Sequence, residues 1–466
     1  VQYELKPILI LSYFFPPCNL TAAQRIKGWA NYLHKSGYYP TIITRNWDAV
    51  VSSPEDVLQS TGTEIVHHKF DTYEVYYVPY KASLRDRLYK RLQQRPVLRK
   101  ATKMLTFFAL ITENFSSRMI AHRNLYTFAR HHLRTHPEYK QLIVSGNPFD
   151  LFRFGYLLHK KTGIQWFADY RDDWNTSSLV KNQSWLERFL HFWSSRSEKK
   201  WVGTTRAIFS VSEVYASKIS EFVGIEGFTI LNGFELDEKR TSGSSSHKST
   251  ERATESETET ERERETEGQK LDHKARRNEF VITYNGSLYP SQPIEPFLKV
   301  IQRLEQDPSV GVPIRLQFPG LGFDPDQVKR VKEYTKGFST HVNITSRIPR
   351  EEVIEMQQHA DVLLMIAHEG IKGIPSSKLY EYIGLEKPVV LFPNDGDIIA
   401  RTLTETGLGH ICDTEVVLET TLRKLIRKKQ LGEPLATANR IAIQTFSRET
   451  QTAQLATLLH AFQRAL

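Results

Sequence analysis

The sequence predicts an α/β protein made of two doubly wound halves, and three observations carry that expectation. Short, nearly uninterrupted apolar runs such as Ile8–Leu11 and Val362–Ile366 read as strands buried on both faces. Amphipathic segments separate them, as in Ala22–Lys35, where Ile26, Trp29, Ala30 and Leu33 share one helical face. The alternation recurs through both halves of the 466-residue chain, a length that suits two or three domains. Two such sheets place a cleft between the carboxyl ends of their strands, where open α/β folds bind ligands.

In the first half, Thr41–Thr44 follows as a second strand, and Glu64–His68 with Tyr73–Val78 reads as a hairpin. Further strands are expected at Leu142–Val144, Gln165–Ala168, Ala207–Val211 and Thr229–Leu231, with helices between them. The pattern then stops. From Glu255 to Glu267 glutamate occupies every second position, interleaved with Thr, Ser and Arg, and no apolar residue stands on either face. Residues 236–278 are therefore expected to be a disordered insertion or linker. Strands resume at Phe280–Tyr284, Arg315–Phe318, Val342–Ile344, Val362–Ile366, Pro388–Phe392 and His410–Cys412. The expected division is 1–235, 236–278 and 279–447, with 448–466 a C-terminal helix returning to the first domain.

Composition narrows the function classes. An aromatic share of 11% excludes a disordered chain, and two distant cysteines, Cys18 and Cys412, exclude a disulfide scaffold and a cysteine-based zinc site. The apolar run near Val1–Ser12 is too short to span a membrane and lacks the flanks of a signal peptide, so a cytoplasmic protein is expected. Charge is concentrated. Between Lys81 and Lys140 there are 14 lysines and arginines against Asp86, Glu113 and Glu138, more than the whole net charge of +9. Leu84, Leu88, Met104, Phe107 and Phe108 give this block an amphipathic helical spacing. Two readings stand level: a helix on an anionic bilayer at the inner face of a membrane, or a helical hairpin packed on the first domain. No nucleic-acid-binding module is recognisable.

The chemistry concentrates in Gly373-Ile-Pro-Ser-Ser-Lys-Leu-Tyr-Glu-Tyr-Ile-Gly384. Ser376 or Ser377 would stand at a helix N-terminus, which favours a diphosphate, with Lys378 in the first turn. Glu381, one turn on, could accept hydrogen bonds from a ribose diol. A capped surface helix accounts for this stretch equally well. Asp324-Pro-Asp326 and Asp395-Gly-Asp397 have a D-x-D form, but each lies beside Pro or Gly and reads as a turn or cap. The 16 histidines show no metal spacing, so no metal or other cofactor is expected.

Together these stretches resemble the GT-B glycosyltransferases, in particular the retaining family 4 enzymes of bacterial polysaccharide synthesis. The similarity rests on Phe15-Pro-Pro17 with Ala22-Ala-Gln-Arg25, Ala168-Asp-Tyr-Arg-Asp-Asp-Trp174, Val211-Ser-Glu213, Asn232-Gly-Phe-Glu235 and Ile374–Ile383 followed by Lys387-Pro-Val-Val390. It implies two Rossmann-like domains facing across a cleft and metal-independent transfer of a sugar, with retention. The donor would be a nucleotide-diphosphate sugar and the acceptor a glycan or a lipid-linked molecule. By resemblance, Glu381 would bind the ribose. Ser376, Ser377, Lys378, Gly286 and Ser287 would meet the diphosphate, and the backbone at Ile348 the base. Arg171 and Asp172 would act near the transferred sugar and acceptor, with Arg25 a further candidate at the diphosphate. The chain departs from the family pattern in three places, one being Asn19-Leu-Thr-Ala-Ala23 in place of a glycine-rich first loop. Gly373 stands where a second acid is usual, the nearest being Glu369, and the arginine and lysine usual after the Gly286 turn are missing, with Leu288 and Gln292 nearby instead. A nucleotide-sugar epimerase and an inactive nucleotide-sugar-binding subunit are the alternatives.

Overall fold

A computed structural model describes residues 5–47, 51, 56–82, 86–87, 120, 122–177, 184–235, 279–338, 341–374 and 376–464. The chain forms two compact units. The first comprises Val1–Phe234, Gly373–Tyr380 and Gln444–Leu466, and the second Glu235–Lys372 and Glu381–Ile443. The polar stretch 236–278 and most of the basic block, 83–85 and 88–119, lie outside the described residues.

The first unit is built on an eight-stranded sheet. In chain order it contains β1 (Lys6–Ser12), α1 (Thr21–Tyr32), β2 (Tyr38–Arg45), β3 (Val66–Lys69) and β4 (Glu74–Val78). These are followed by α2 (Arg123–Thr135), β5 (Gln141–Gly146), α3 (Asp150–Thr162), β6 (Gln165–Tyr170) and α4 (Trp185–Val202). β7 (Ile208–Ser210), α5 (Glu213–Val223) and β8 (Gly227–Thr229) complete the run. The strand order is β3-β4-β2-β1-β5-β6-β7-β8, and every pair is parallel except the β3–β4 hairpin.

The apolar runs are explained by burial on both sides of this sheet. Leu9, Leu11, Leu142, Val144 and Trp166 pack on one face with Leu125 and Leu133 of α2 and Leu151 and Phe154 of α3. Their neighbours Ile8, Ile10, Ile143 and Phe167 pack on the other with Ile26 and Trp29 of α1. Because successive strand side chains point to opposite faces, only an all-apolar strand satisfies both layers. Within the described part of the basic block, α2 joins this core, burying Leu125, Tyr126, Ala129, His132 and Leu133.

The second unit holds β9 (Phe280–Thr283), α6 (Glu295–Gln306), β10 (Ile314–Phe318), α7 (Pro325–Tyr334), β11 (His341–Ile344) and α8 (Arg350–His359). Next come β12 (Val362–Met365), α9 (Ser377–Gly384), whose residues through Tyr380 are grouped with the first unit, β13 (Val389–Leu391), α10 (Ile398–Glu405), β14 (Gly409–Ile411) and α11 (Glu415–Gln430). Its six parallel strands run in the order β11-β10-β9-β12-β13-β14, the doubly wound order of a dinucleotide-binding fold. After α12 (Arg440–Thr445), α13 (Arg448–Arg464) belongs to the first unit, where Leu455, Ala456, Leu459 and Phe462 join the layer containing Ile8 and Ile26.

Both D-x-D triplets are caps. The Asp324 carboxylate accepts from the N–H groups of Asp326 and Gln327 at the start of α7, and Asp395 accepts from Ile399 and Ala400 in α10. No described helix is long and apolar enough to cross a membrane.

Candidate functional site

In each unit the order of strands reverses at one point, where the loops leaving two neighbouring strands diverge and open a crevice. In the first unit this point lies between β1 and β5. Arg171, directly after β6, reaches it: Nε donates to the Gly146 carbonyl at the end of β5 at 2.8 Å, and the guanidinium lies 5.2 Å from the Phe14 ring after β1. Burial pulls the Arg171 pKa below the usual arginine value, while Asp172 and Asp169 act in the opposite direction. Asp172 beside it is exposed.

The loop carrying these two residues is held at both ends by one carboxylate that the sequence reading missed. Glu198 of α4 is fully buried. Its Oε1 accepts from the Tyr170 hydroxyl at 2.8 Å, and its Oε2 accepts from Asn175 Nδ2 at 2.6 Å. Burial raises the Glu198 pKa despite these donors. Trp174 stacks on Phe149 at 4.9 Å, which fastens the middle of the loop. In sequence Glu198 belongs to a Glu-Lys-Lys run that reads as a solvated helix face, so only the fold reveals it.

Arg25, a further candidate at the diphosphate, is buried in the first unit. It is 3% exposed, and its Nη2 and Nε donate to Asp169 Oδ1 at 2.8 and 3.0 Å. Nη1 donates to the carbonyls of Ile230 and Leu231, and Ser145 Oγ donates to Asp169 Oδ2 at 2.7 Å. Two stretches that the sequence offered separately, Ala22–Arg25 and Ala168–Trp174, thus meet in a buried ion pair. This arginine is committed to the architecture, because its donors are taken up by the protein's own acceptors.

In the second unit the reversal lies between β9 and β12. Gly286, in the loop leaving β9, has φ +81°, and its N–H donates to the Pro319 carbonyl at 2.7 Å. A Cβ on Gly320 would lie 3.4 Å from Gly286 Cα, so the loops after β9 and β10 run backbone against backbone. The Ser287 carbonyl accepts from the Tyr284 hydroxyl at 2.9 Å. Leu288 and Gln292 serve structure: Leu288 is core, and Gln292 donates to the Ile366 carbonyl while accepting from the Tyr289 N–H. Glu369, after β12, is exposed, and its N–H donates to the Ser291 carbonyl at 2.8 Å.

Glu381 is the most constrained acid here. Its Oε1 pairs with Arg350 Nη1 at 2.8 Å, its Oε2 accepts from Asn285 Nδ2 at 3.3 Å, and the side chain is 18% exposed. Asn285 is oriented in turn, its N–H donating to the Tyr382 hydroxyl at 2.9 Å. Arg350 opens α8 two residues after the half-buried Ile348, and the sequence reading did not single it out. Ser377 and Lys378 begin α9, the helix that carries Glu381 one turn later, and Ser376 directly precedes it.

The missing acid at Gly373 has a local cause. Gly373 has φ +79°, a Cβ there would lie 2.6 Å from Val214 Cγ1, and its carbonyl accepts from Ser212 Oγ at 3.2 Å. The backbone conformation and Val214 together exclude a side chain.

No family model matches the chain, and no curated protein matches it in sequence. Solved structures do resemble it. The Anabaena protein HepE, in complex with UDP and glucose, aligns with TM-score 0.55 at 14% identity over 98% of this chain and 100% of its own. Sucrose-phosphate synthase from Thermosynechococcus elongatus gives 0.59 at 14% over 99% and 100%. A glycosyltransferase from Rickettsia africae gives 0.57 at 13% over 98% of both chains. With the strand orders above, these likenesses define the fold: the chain has the GT-B glycosyltransferase fold.

Proposed function

We propose that the protein is a glycosyltransferase that takes a sugar, with retention and without a metal, from a nucleotide-diphosphate donor. The acceptor would be a glycan or a lipid-linked molecule in polysaccharide synthesis. The observation that carries this reading is Glu381, a carboxylate held by Arg350 and Asn285 among the loops at the carboxyl ends of the second sheet. A ribose diol would take over the long 3.3 Å contact that Asn285 makes. UDP in the HepE structure supports a nucleoside diphosphate as the ligand class.

The remaining roles follow from charge. The diphosphate would meet the Gly286–Ser287 turn, Ser376, Ser377 and the Lys378 ammonium at the start of α9, with the base beside Ile348. Backbone dipoles and a lysine stabilise a departing diphosphate without a metal. Arg171 and Asp172, on the loop anchored by Glu198 and Trp174 in the first unit, would serve the acceptor and the transferred sugar. The closed backbone at Gly373 favours one second reading, a subunit that binds the nucleotide sugar without turning it over.

Calorimetric titration with uridine, guanosine, adenosine and thymidine diphosphates, followed by donor-hydrolysis assays, tests both readings. Hydrogen bonds to a charged carboxylate contribute about 1.5–3 kcal/mol each, so Glu381→Ala weakens nucleotide binding about tenfold or more. Unchanged affinity refutes the ribose assignment, and binding without turnover favours the second reading.

A further inference from the structure

The outer face of α4 carries a pattern that neither the core nor the donor chemistry uses. Trp185, Phe189 and Phe192 follow one another at helical spacing and are 73%, 44% and 62% exposed. Large aromatic side chains in water are unfavourable unless something covers them. Arg188, Arg196, Lys199 and Lys200 are also exposed. At 100° per residue these cations and the three aromatics fall within an arc of about 120°.

The two acids of the helix lie elsewhere. Glu187 closes a capping box with Ser184, and Glu198 is buried on the opposite side, holding Tyr170 and Asn175. The exposed arc is therefore aromatic and cationic, with no carboxylate. A helix of 18 residues is about 27 Å long. It is too polar to cross a membrane and well suited to lie along one. Trp and Phe settle at the headgroup boundary, while the long stems of Arg and Lys reach lipid phosphates.

We propose that α4 docks the protein on an anionic bilayer, its aromatic residues entering the interface and its cations meeting acidic headgroups. The same helix holds the Arg171–Asp172 loop through Glu198 on its inner side, so docking would keep that loop about one helix diameter from the membrane surface and favour a lipid-borne acceptor. The docking does not depend on the donor assignment, and its test needs no turnover.

The full chain is sedimented with vesicles of phosphatidylcholine alone and with a quarter phosphatidylglycerol, and tryptophan emission is recorded with and without brominated lipid. Expected are pelleting on the acidic vesicles only and a blue shift with bromine quenching, the portion due to this helix vanishing in Trp185→Phe. Each cation near the surface contributes roughly fivefold, so Arg188→Glu with Arg196→Glu and Lys200→Glu weakens the partition at least about tenfold. All these positions are exposed, so unchanged circular dichroism and melting temperature accompany the loss. Pelleting that persists in the charge variant, or quenching that is the same in Trp185→Phe, overturns the proposal, as does a failure to pellet on either vesicle. A dimer in buffer that Trp185→Ala with Phe192→Ala dissolves, without vesicle binding by the parent, would assign the face to a second copy instead.

Discussion

Glu198→Ala isolates the contribution of the clamp to the loop that carries Arg171 and Asp172. The substitution removes the acceptor of two inward-facing donors, the Tyr170 hydroxyl and Asn175 Nδ2, from a fully buried site. Hydrogen bonds to a charged group are worth about 1.5–3 kcal/mol each, and stranded buried donors add to the loss, so about 3–5 kcal/mol of stability should disappear. Urea unfolding followed by circular dichroism reads this directly. Glu198→Gln keeps the shape and mimics the protonated acid, so it costs less. The sign of its pH dependence follows from burial, which raises the folded-state pKa above the unfolded value. The folded protein then binds more protons than the unfolded chain, and wild-type stability falls as pH rises from the ordinary carboxylate range through that raised value. The deficit of Glu198→Gln relative to wild type should therefore shrink toward neutral pH. In the proposed enzyme, Glu198→Ala lowers turnover while nucleotide affinity stays unchanged. A loss below about 1 kcal/mol, or a deficit in Glu198→Gln that grows toward neutral pH, would refute the clamp.

Gly373→Asp, which introduces an acid where the enzymes the sequence resembles carry one, is expected to lower stability by at least about 2 kcal/mol and to gain no activity, since left-handed backbone and the Val214 contact both oppose it. A melting temperature equal to wild type would contradict that geometry. Arg25→Met leaves Asp169 buried with Ser145 as a partner and should cost about 3–5 kcal/mol in urea unfolding, whereas Arg25→Met with Asp169→Leu costs less. Equal costs for the two would show that the pair carries no coupling. His132, buried with an unpartnered Nε2, has its pKa pushed down to about 4, chiefly by burial, with His136 adding to it. It stays neutral in the folded state, so its contribution is present above the unfolded value of about 6.5 and is lost as pH falls from there toward 4. His132→Leu should flatten that part of the stability profile, measured by melting at stepped pH, and an unchanged slope would remove the assignment.

The alternation of apolar runs and amphipathic helices determined the class of fold by itself, because burial on both faces of a parallel sheet dictates side chains residue by residue. Ile8–Leu11 and Val362–Ile366 are legible for that reason: every position is buried on one face of the sheet or the other, whatever the rest of the chain does. The helix start at Ser377, with Lys378 in its first turn and Glu381 a turn later, was equally legible, since its spacing is local. Encounters between distant residues were not. Arg25 lies 144 positions from Asp169, and nothing in either neighbourhood distinguishes an arginine bound for a buried carboxylate from one aimed at a phosphate. Arg350 reached Glu381, Glu198 turned inward from a charged run, and Val214 closed over Gly373 only once the strands had set their order. Local pattern reports what each residue must be buried against, whereas the pairing of charges depends on which loops the sheet brings together, and that is decided by tertiary structure.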